Sequence, residues 1–336
     1  MSIDYSELFS MPLPKLGKIA NEIVKKKCGD VVTFVVDATI NYTNICVSKC
    51  KFCAFYARDE GFVLSLEEIL SRVRNAVSMG ATQIMLQGGL NPGLGIEWFE
   101  KVFSAIKKAF PNVHLHSLSP PEIVFLSKLE GLSYEEVLLR LKNAGLDSLP
   151  GGGAEILVDR VRNRISPRKC KSEEWLEVMR TAHKLGIPTT ATMVFGHVES
   201  DEDILEHLLK IRDLQSETNG FTAFIPWTFH PGNTELDFIP KAGATRYLRV
   251  LSISRIVLDN FRNIQASWLS QGFEIAKLAL FFGANDFGGT LLEESVIRAT
   301  GKEFKPAKVE EIVNAIKSVG KIPARRDTYY RILQFY

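Results

Sequence analysis

The chain has 336 residues, 46% of them hydrophobic and 24% charged, with a formal net charge of +2. That is ample material for a large core, and the near-balanced charge gives no reason to expect a nucleic-acid or acidic-surface partner. No run approaches the ~18 apolar residues of a membrane span, and "MSIDYSELFSMPLPKLGKIA" has no apolar signal segment, so a cytoplasmic protein without a membrane partner is expected.

An amphipathic helix is expected over residues 15–27, then "VVTFVVDATI" (31–40), a β-branched run typical of a strand buried on both faces. A loop holding three of the five cysteines comes next. "SLEEILSRVRNAVSMG" opens with Ser65, carries Glu68 three residues on as a capping-box helix start, and closes on Gly80. Strand "TQIMLQGGL", helix "GIEWFEKVFSAIKKAF", strand "VHLHSLS" and helices over 120–143 follow. The alternation continues through strand "LDSLPGGG", helix "SEEWLEVMRTAHKLG", strand "PTTATMVFG", helix "DEDILEHLLKIRDLQSE" and strand "FTAFIPWTF". It ends with helix "TRYLRVLSISRIVLDN", strand "NIQASW", helix "QGFEIAKLAL" and an eighth strand, "FFGANDFGG".

This order predicts an α/β fold, a (β/α)8 TIM-type barrel with a short N-terminal helix and a C-terminal extension. A doubly wound open sheet is the alternative, but it usually has fewer strands. One domain is expected over 1–336, with its core at about 31–290 and a helical extension or tail over 291–336. Active sites of such barrels sit at the C-terminal ends of the strands. That rim carries the cysteine loop, "QGGLNP", "HSLSPPE", "PGGGAE", "FGHVE", "WTFHPGN" and "GANDFGG".

The cysteines are spaced Cys46-x3-Cys50-x2-Cys53. Incidental clustering, a structural zinc site with a remote fourth ligand, and a [4Fe–4S] cluster on three thiolates are the possible readings. Neither Cys28 nor Cys170 has a partner at zinc spacing. A cluster on three thiolates keeps one iron free for an outside ligand.

Cys46-x3-Cys50-x-Phe52-Cys53, directly after a first barrel strand, resembles the radical S-adenosylmethionine (SAM) superfamily, whose signature includes the aromatic before the last cysteine. The resemblance implies a [4Fe–4S] cluster on Cys46, Cys50 and Cys53, with the free iron chelating the amino and carboxylate groups of SAM. One electron from the cluster then cleaves SAM to methionine and a 5′-deoxyadenosyl radical. Gly88-Gly89 resembles the segment whose backbone binds the methionyl amino group, with Leu90 where glutamate is usual. "VFGHVE", with Val194 and Gly196, resembles the adenine-contacting motif, and Phe55 and Tyr56 are placed to lie against adenine. Glu155 is placed to hold a SAM hydroxyl or amino group, or else to act as a helix N-terminal carboxylate.

Across nearly the whole chain the resemblance narrows to the cyclic dehypoxanthinyl futalosine synthases of the futalosine route to menaquinone. "QGGLNP", "SPPEI" and "FIPWTF" carry it, whereas "PGGGAEI" and "GFTAFIP" are similar also to aminofutalosine synthases and deazaflavin (FO) synthase subunits. The implied reaction takes the C4′ hydrogen from the ribose of dehypoxanthine futalosine, adds the carbon radical to the benzoate ring, and loses an electron and a proton. An electron donor such as ferredoxin or flavodoxin is implied too.

Such chemistry asks for a dry mouth, offered by Trp227, Phe229 and Phe287. It asks for a benzoate cation, for which Arg326 in "IPARRDTYYR" could fold over the mouth. Asp286, His116 and His230 are the candidate bases; Asp286 belongs at the end of the eighth strand, and of His114 and His116 at most one should point inward. A zinc-binding module or a simple electron carrier is the non-enzymatic alternative.

Overall fold

The computed structural model describes residues 5–336. Its strands are β1 (Val31–Val35), β2 (Asp37–Asn41), β3 (Gln83–Gln87), β4 (His114–Leu115) and β5 (Thr189–Phe195), then β6 (Phe221–Thr228), β7 (Asn263–Ile264), β8 (Asp286–Gly289), β9 (Ile322–Arg326) and β10 (Ile332–Phe335). β8 pairs with β1, β2 with β3, β3 with β4, β5 with β6 and β6 with β7, all in parallel. Isolated bridges His116–Ser148, Leu149–Thr189 and Gln265–Asp286 close the gaps, so the sheet returns on itself as the expected barrel. Its helices begin where the side chains dictate. Ser65 accepts from the Glu68 amide while Glu68 accepts from the Ser65 amide at 2.7 Å, and Ser133 with Glu136 repeats that capping box. Among the described residues, no helix is long and apolar enough to cross a membrane.

Four expectations need correction. The first strand divides at Val36: its lower half, β1, lies between β8 and β9, and its upper half, β2, pairs with β3. "LDSLPGGG" contributes only bridges, because three glycines and a proline follow two paired residues. Residues 281–285 are not strand: the amides of Phe281, Phe282 and Ala284 still bond back to Leu278 and Ala279, and Gly283 turns at φ +119°. The C-terminal region is not only helical. After the helix Val309–Ser318, β9 joins the barrel beside β1 and β10 returns antiparallel on β9.

These corrections move two expected site residues. Asp286 begins β8 rather than ending it, level with Thr33, which lies six residues before Thr39 of the mouth, roughly 20 Å along the strand. Both carboxylate oxygens meet Arg326, Oδ2 to Nε at 2.5 Å and Oδ1 to Nη2 at 3.1 Å, and Thr33 Oγ1 donates to Oδ2 at 2.6 Å. The Arg326 guanidinium also lies 3.8 Å from the centre of the Tyr330 ring. This buried pair therefore plugs the bottom of the barrel and is out of reach of a ligand at the top. His116 lines neither of the two cavities at the top of the barrel either. Its Nδ1 lies 2.6 Å from Ser148 Oγ, and His114 Nε2 reaches the same hydroxyl at 2.7 Å, so the two histidines converge instead of diverging. Burial, then His114 and Arg326, hold His116 neutral well below the usual imidazole range.

Arg326→Met should leave the Asp286 charge buried and unpaired, costing about 3–5 kcal/mol in urea-unfolding stability. Unchanged stability with lost turnover would instead give the pair a chemical role.

Candidate active site

Two adjoining cavities open at the C-terminal ends of the strands. The first, about 220 Å³, is bordered by Cys46, Cys50 and Cys53 together with Phe55, Tyr56, Gly88 and Gly89. The second, about 270 Å³, is bordered by Val194, Trp227, Phe229 and His230. Phe52, Cys53 and Glu155 line both, so the two form one continuous space.

The thiol loop is set by a close approach of backbone. The Val47 amide donates to the Leu90 carbonyl at 3.0 Å, and the Gly89 amide to the Thr43 carbonyl at 3.0 Å. A Cβ on Gly89 would stand 2.2 Å from the Ile45 oxygen, and one on Gly88 2.7 Å from the Tyr42 ring, so no larger residue fits either place. Lys49 turns the loop in the left-handed region, at φ +45°, and the Cys53 amide closes it on the Cys50 carbonyl at 3.0 Å. Burial pushes the Cys50 thiol up to about 11, so loading a metal must displace its proton.

Among the described residues, no three His, Cys, Asp or Glu side chains converge on a point where one ion would sit. The cysteines border a space rather than a point. That donor set fits a cubane, whose separate iron corners each take one thiolate, with a corner left over.

Glu155 is held in an uncommon backbone conformation, at φ +40°, with its carboxylate buried. Lys169 Nζ donates to Oε1 at 2.9 Å, while Oε2 stands 3.5 Å from an Arg162 nitrogen without a hydrogen bond. Glu155 lines both cavities, but this second oxygen is itself closed off beside Arg162, so the carboxylate is committed to Lys169 and Arg162. Glu155 is not a helix N-terminal carboxylate, since the next helix starts only at Asp159. Lys169 also lies 5.3 Å from the centre of the Phe52 ring. Burial opposes its charge, but Glu155 and Cys50 outweigh that and hold it above the ordinary lysine range.

Of the expected cofactor contacts, Phe52, Phe55, Tyr56, Gly88, Gly89, Glu155 and Val194 all border these cavities. Gly196 borders neither; its amide donates to Glu199 Oε1 at 2.6 Å, shaping the turn behind Val194. Trp227, Phe229 and His230 stand at the mouth, whereas Phe287 packs outward on Phe273 with ring centres 5.3 Å apart. Sequence reasoning missed Lys169 and Glu122. The only sequence signals were a lysine in "SPRKC" and a carboxylate in "SPPEI" with no role attached.

Gly89→Ala should displace the Ile45–Cys46 backbone and weaken iron loading by about tenfold or more at unchanged far-UV circular dichroism. Full iron and sulfide content in reconstituted protein would contradict this.

Comparison with known proteins agrees with this geometry. Residues 40–211 match the profile of the Radical SAM superfamily, and residues 218–335 match the CofH/MqnC C-terminal region. A cyclic dehypoxanthine futalosine synthase of Halalkalibacterium halodurans is 44% identical over 96% of this chain and 88% of its own. A 5-amino-6-(D-ribitylamino)uracil–L-tyrosine 4-hydroxyphenyl transferase of Methanosarcina barkeri is also 44% identical, over 96% and 88%. The crystal structure of a methylornithine synthase superposes with a TM-score of 0.74 over 96% of this chain and 93% of its own; at 19% identity this likeness speaks for the fold alone. The chain belongs to the radical SAM superfamily, and its cofactors are a [4Fe–4S] cluster and SAM.

Proposed function

We propose that the protein cyclises dehypoxanthine futalosine, and that the second cavity holds this substrate. The whole-length likeness to a cyclic dehypoxanthine futalosine synthase supports this, but the equally similar transferase keeps a second reading open. One observation favours the cyclase. A transferase that takes tyrosine needs an anion for the amino-acid ammonium, and the second cavity has none to spare. Its carboxylates are Glu155, bound to Lys169, and Glu294, which accepts the amides of Val296 at 2.7 Å and Ile297 at 2.9 Å.

When bound, the cluster and SAM supply the hydrogen-atom abstraction from the ribose. The chain does the rest. Trp227, Phe229 and Met85 give the second cavity apolar walls that exclude water and lie along an aromatic ring. With Arg326 committed to the barrel floor, two other cations, Lys241 and Lys302, are anchored behind the lining of the second cavity. Lys241 donates to the Ser270 carbonyl at 2.8 Å and Lys302 to the Leu269 carbonyl, and both carbonyl residues line the cavity. His230 Nε2 lies 3.2 Å from the same Ser270 oxygen, which can only accept, so Nε2 carries the hydrogen and Nδ1 is free. Burial, then Lys241 and Lys302, pull this imidazole down to about 4, leaving it neutral at pH 7. A neutral Nδ1 can take the proton released as the substrate ring regains aromaticity, a strongly favourable loss that asks only for a weak base, while the electron lost with it would pass to the oxidised cluster when that is bound.

Two tests follow from this. With SAM and reductant, dehypoxanthine futalosine should give a cyclised product; product from tyrosine and 5-amino-6-(D-ribitylamino)uracil instead would establish the transferase. His230→Gln should lower kcat by about 100-fold or more while 5′-deoxyadenosine still forms, whereas wild-type turnover would remove His230 from the reaction.

A further inference from the structure

Glu122 is a carboxylate on the border of the thiol cavity with no ion-pair partner. It is buried, at 4% exposure, and the cavity it lines is the one bordered by all three clustered cysteines. Tyr42 Oη donates to its Oε1 at 2.8 Å, the Gly88 amide to the same oxygen at 3.2 Å, and Ser119 Oγ to Oε2 at 2.5 Å. These are three neutral donors against about four acceptor positions on a carboxylate, so one position on Oε2 remains. Lys169, which pairs with Glu155, acts on Glu122 only as the weakest of several influences. Burial pushes Glu122 up to about 7, against the pull of the Ser119, Tyr42 and Gly88 hydrogen bonds.

The first turn of a helix often carries an acid for its dipole, and Glu122 lies in the first turn of Pro120–Glu130. That accounts for only one of its oxygens: Oε2 accepts from Ser119, the N-cap of the same helix, while Oε1 reaches out to the Tyr42 hydroxyl and the Gly88 turn. A buried anion without a counter-charge, beside a cavity, is costly unless a ligand supplies donors or positive charge there. Leu90, directly after the glycine pair, brings no charge of its own.

We propose that Glu122 is the anion that receives the amino group of the SAM methionyl moiety, holding it over the Gly88–Gly89 turn. The two carboxylates then differ in their tasks: Glu155, held between Lys169 and Arg162, borders the place where the two cavities join, and Glu122 serves the amino-acid end. The assignment rests on the cofactor and is independent of which substrate occupies the second cavity.

The test uses the anaerobically reconstituted holoenzyme and two probes, SAM and 5′-methylthioadenosine, which keeps the nucleoside but lacks the amino acid. Equilibrium dialysis should show E122Q binding SAM about 10- to 100-fold more weakly than wild type, with 5′-methylthioadenosine affinity, iron and sulfide unchanged. E122D, which keeps the charge one methylene further away, should fall between. SAM affinity in E122Q equal to wild type would overturn the proposal. So would loss of iron or of 5′-methylthioadenosine binding in both variants, because Glu122 would then be a prop for the loop.

Discussion

The contact on which the site depends is the approach of the Ile45 carbonyl to Gly89. Two chain segments meet there with no side chain between them, and the three thiols stand where they do because of it. The approach is possible because both segments leave neighbouring parallel strands. β2 and β3 run in register from Asp37–Gln83 to Asn41–Gln87, so the loops that follow emerge side by side. The barrel sets the distance, and the glycine permits it. Tyr42 then has a double task, filling the space against Gly88 while sending its hydroxyl to Glu122. Packing and polar chemistry are coupled through one ring.

The two ends of the barrel solve different electrostatic problems. At the floor, Asp286 and Arg326 satisfy each other, with Thr33 and the Gly288 amide completing the carboxylate's bonds. A charge pair so completed in a low-dielectric interior is stable but chemically idle. At the mouth, Glu155 is held between Lys169 and Arg162, but Glu122 keeps a carboxylate without a cation. Incomplete satisfaction is what a ligand site looks like before its ligand is considered. β9 makes the difference possible: by lying beside β1 it brings Arg326 in from below and leaves the upper rim to the loops.

Much of this was legible in the sequence, because the signals were local. The Ser65–Glu68 capping box and the β-branched runs at 31–40 and 189–195 state their own structure within a few residues. The cysteine spacing does the same for the cluster. What failed was non-local. Nothing in "KIPARR" announces a strand, since its partner lies 291 residues earlier, as Val31 opposite Ile322, and a proline near its start argues against one. Asp286 was misplaced by a boundary error. Two phenylalanines before Gly283 read as strand but complete a helix turn, and five residues of slip carry a carboxylate from floor to rim. His114 and His116 followed the alternation rule until a single serine, from a segment reduced to bridges, drew both rings to it.

The division into two cavities bears on how a radical reaction can be confined. The first cavity carries the reactive and charged groups: thiols, Lys169, Glu155 and Glu122 can fix a charged cofactor at several points. The second is mostly apolar, and its acid Glu294 is occupied in holding the turn that carries Val296 and Ile297 over it. Val296 borders both spaces, so that turn spans the junction where Phe52, Cys53 and Glu155 meet. On the proposed reading, hydrogen transfer belongs at this junction, where the cofactor cavity and the substrate cavity share their lining. A substrate carrying both the hydrogen donor and the radical acceptor in one molecule suits such a geometry. Its sugar can lie at the junction while its ring lies against Trp227, with no second molecule to admit and no water needed between them.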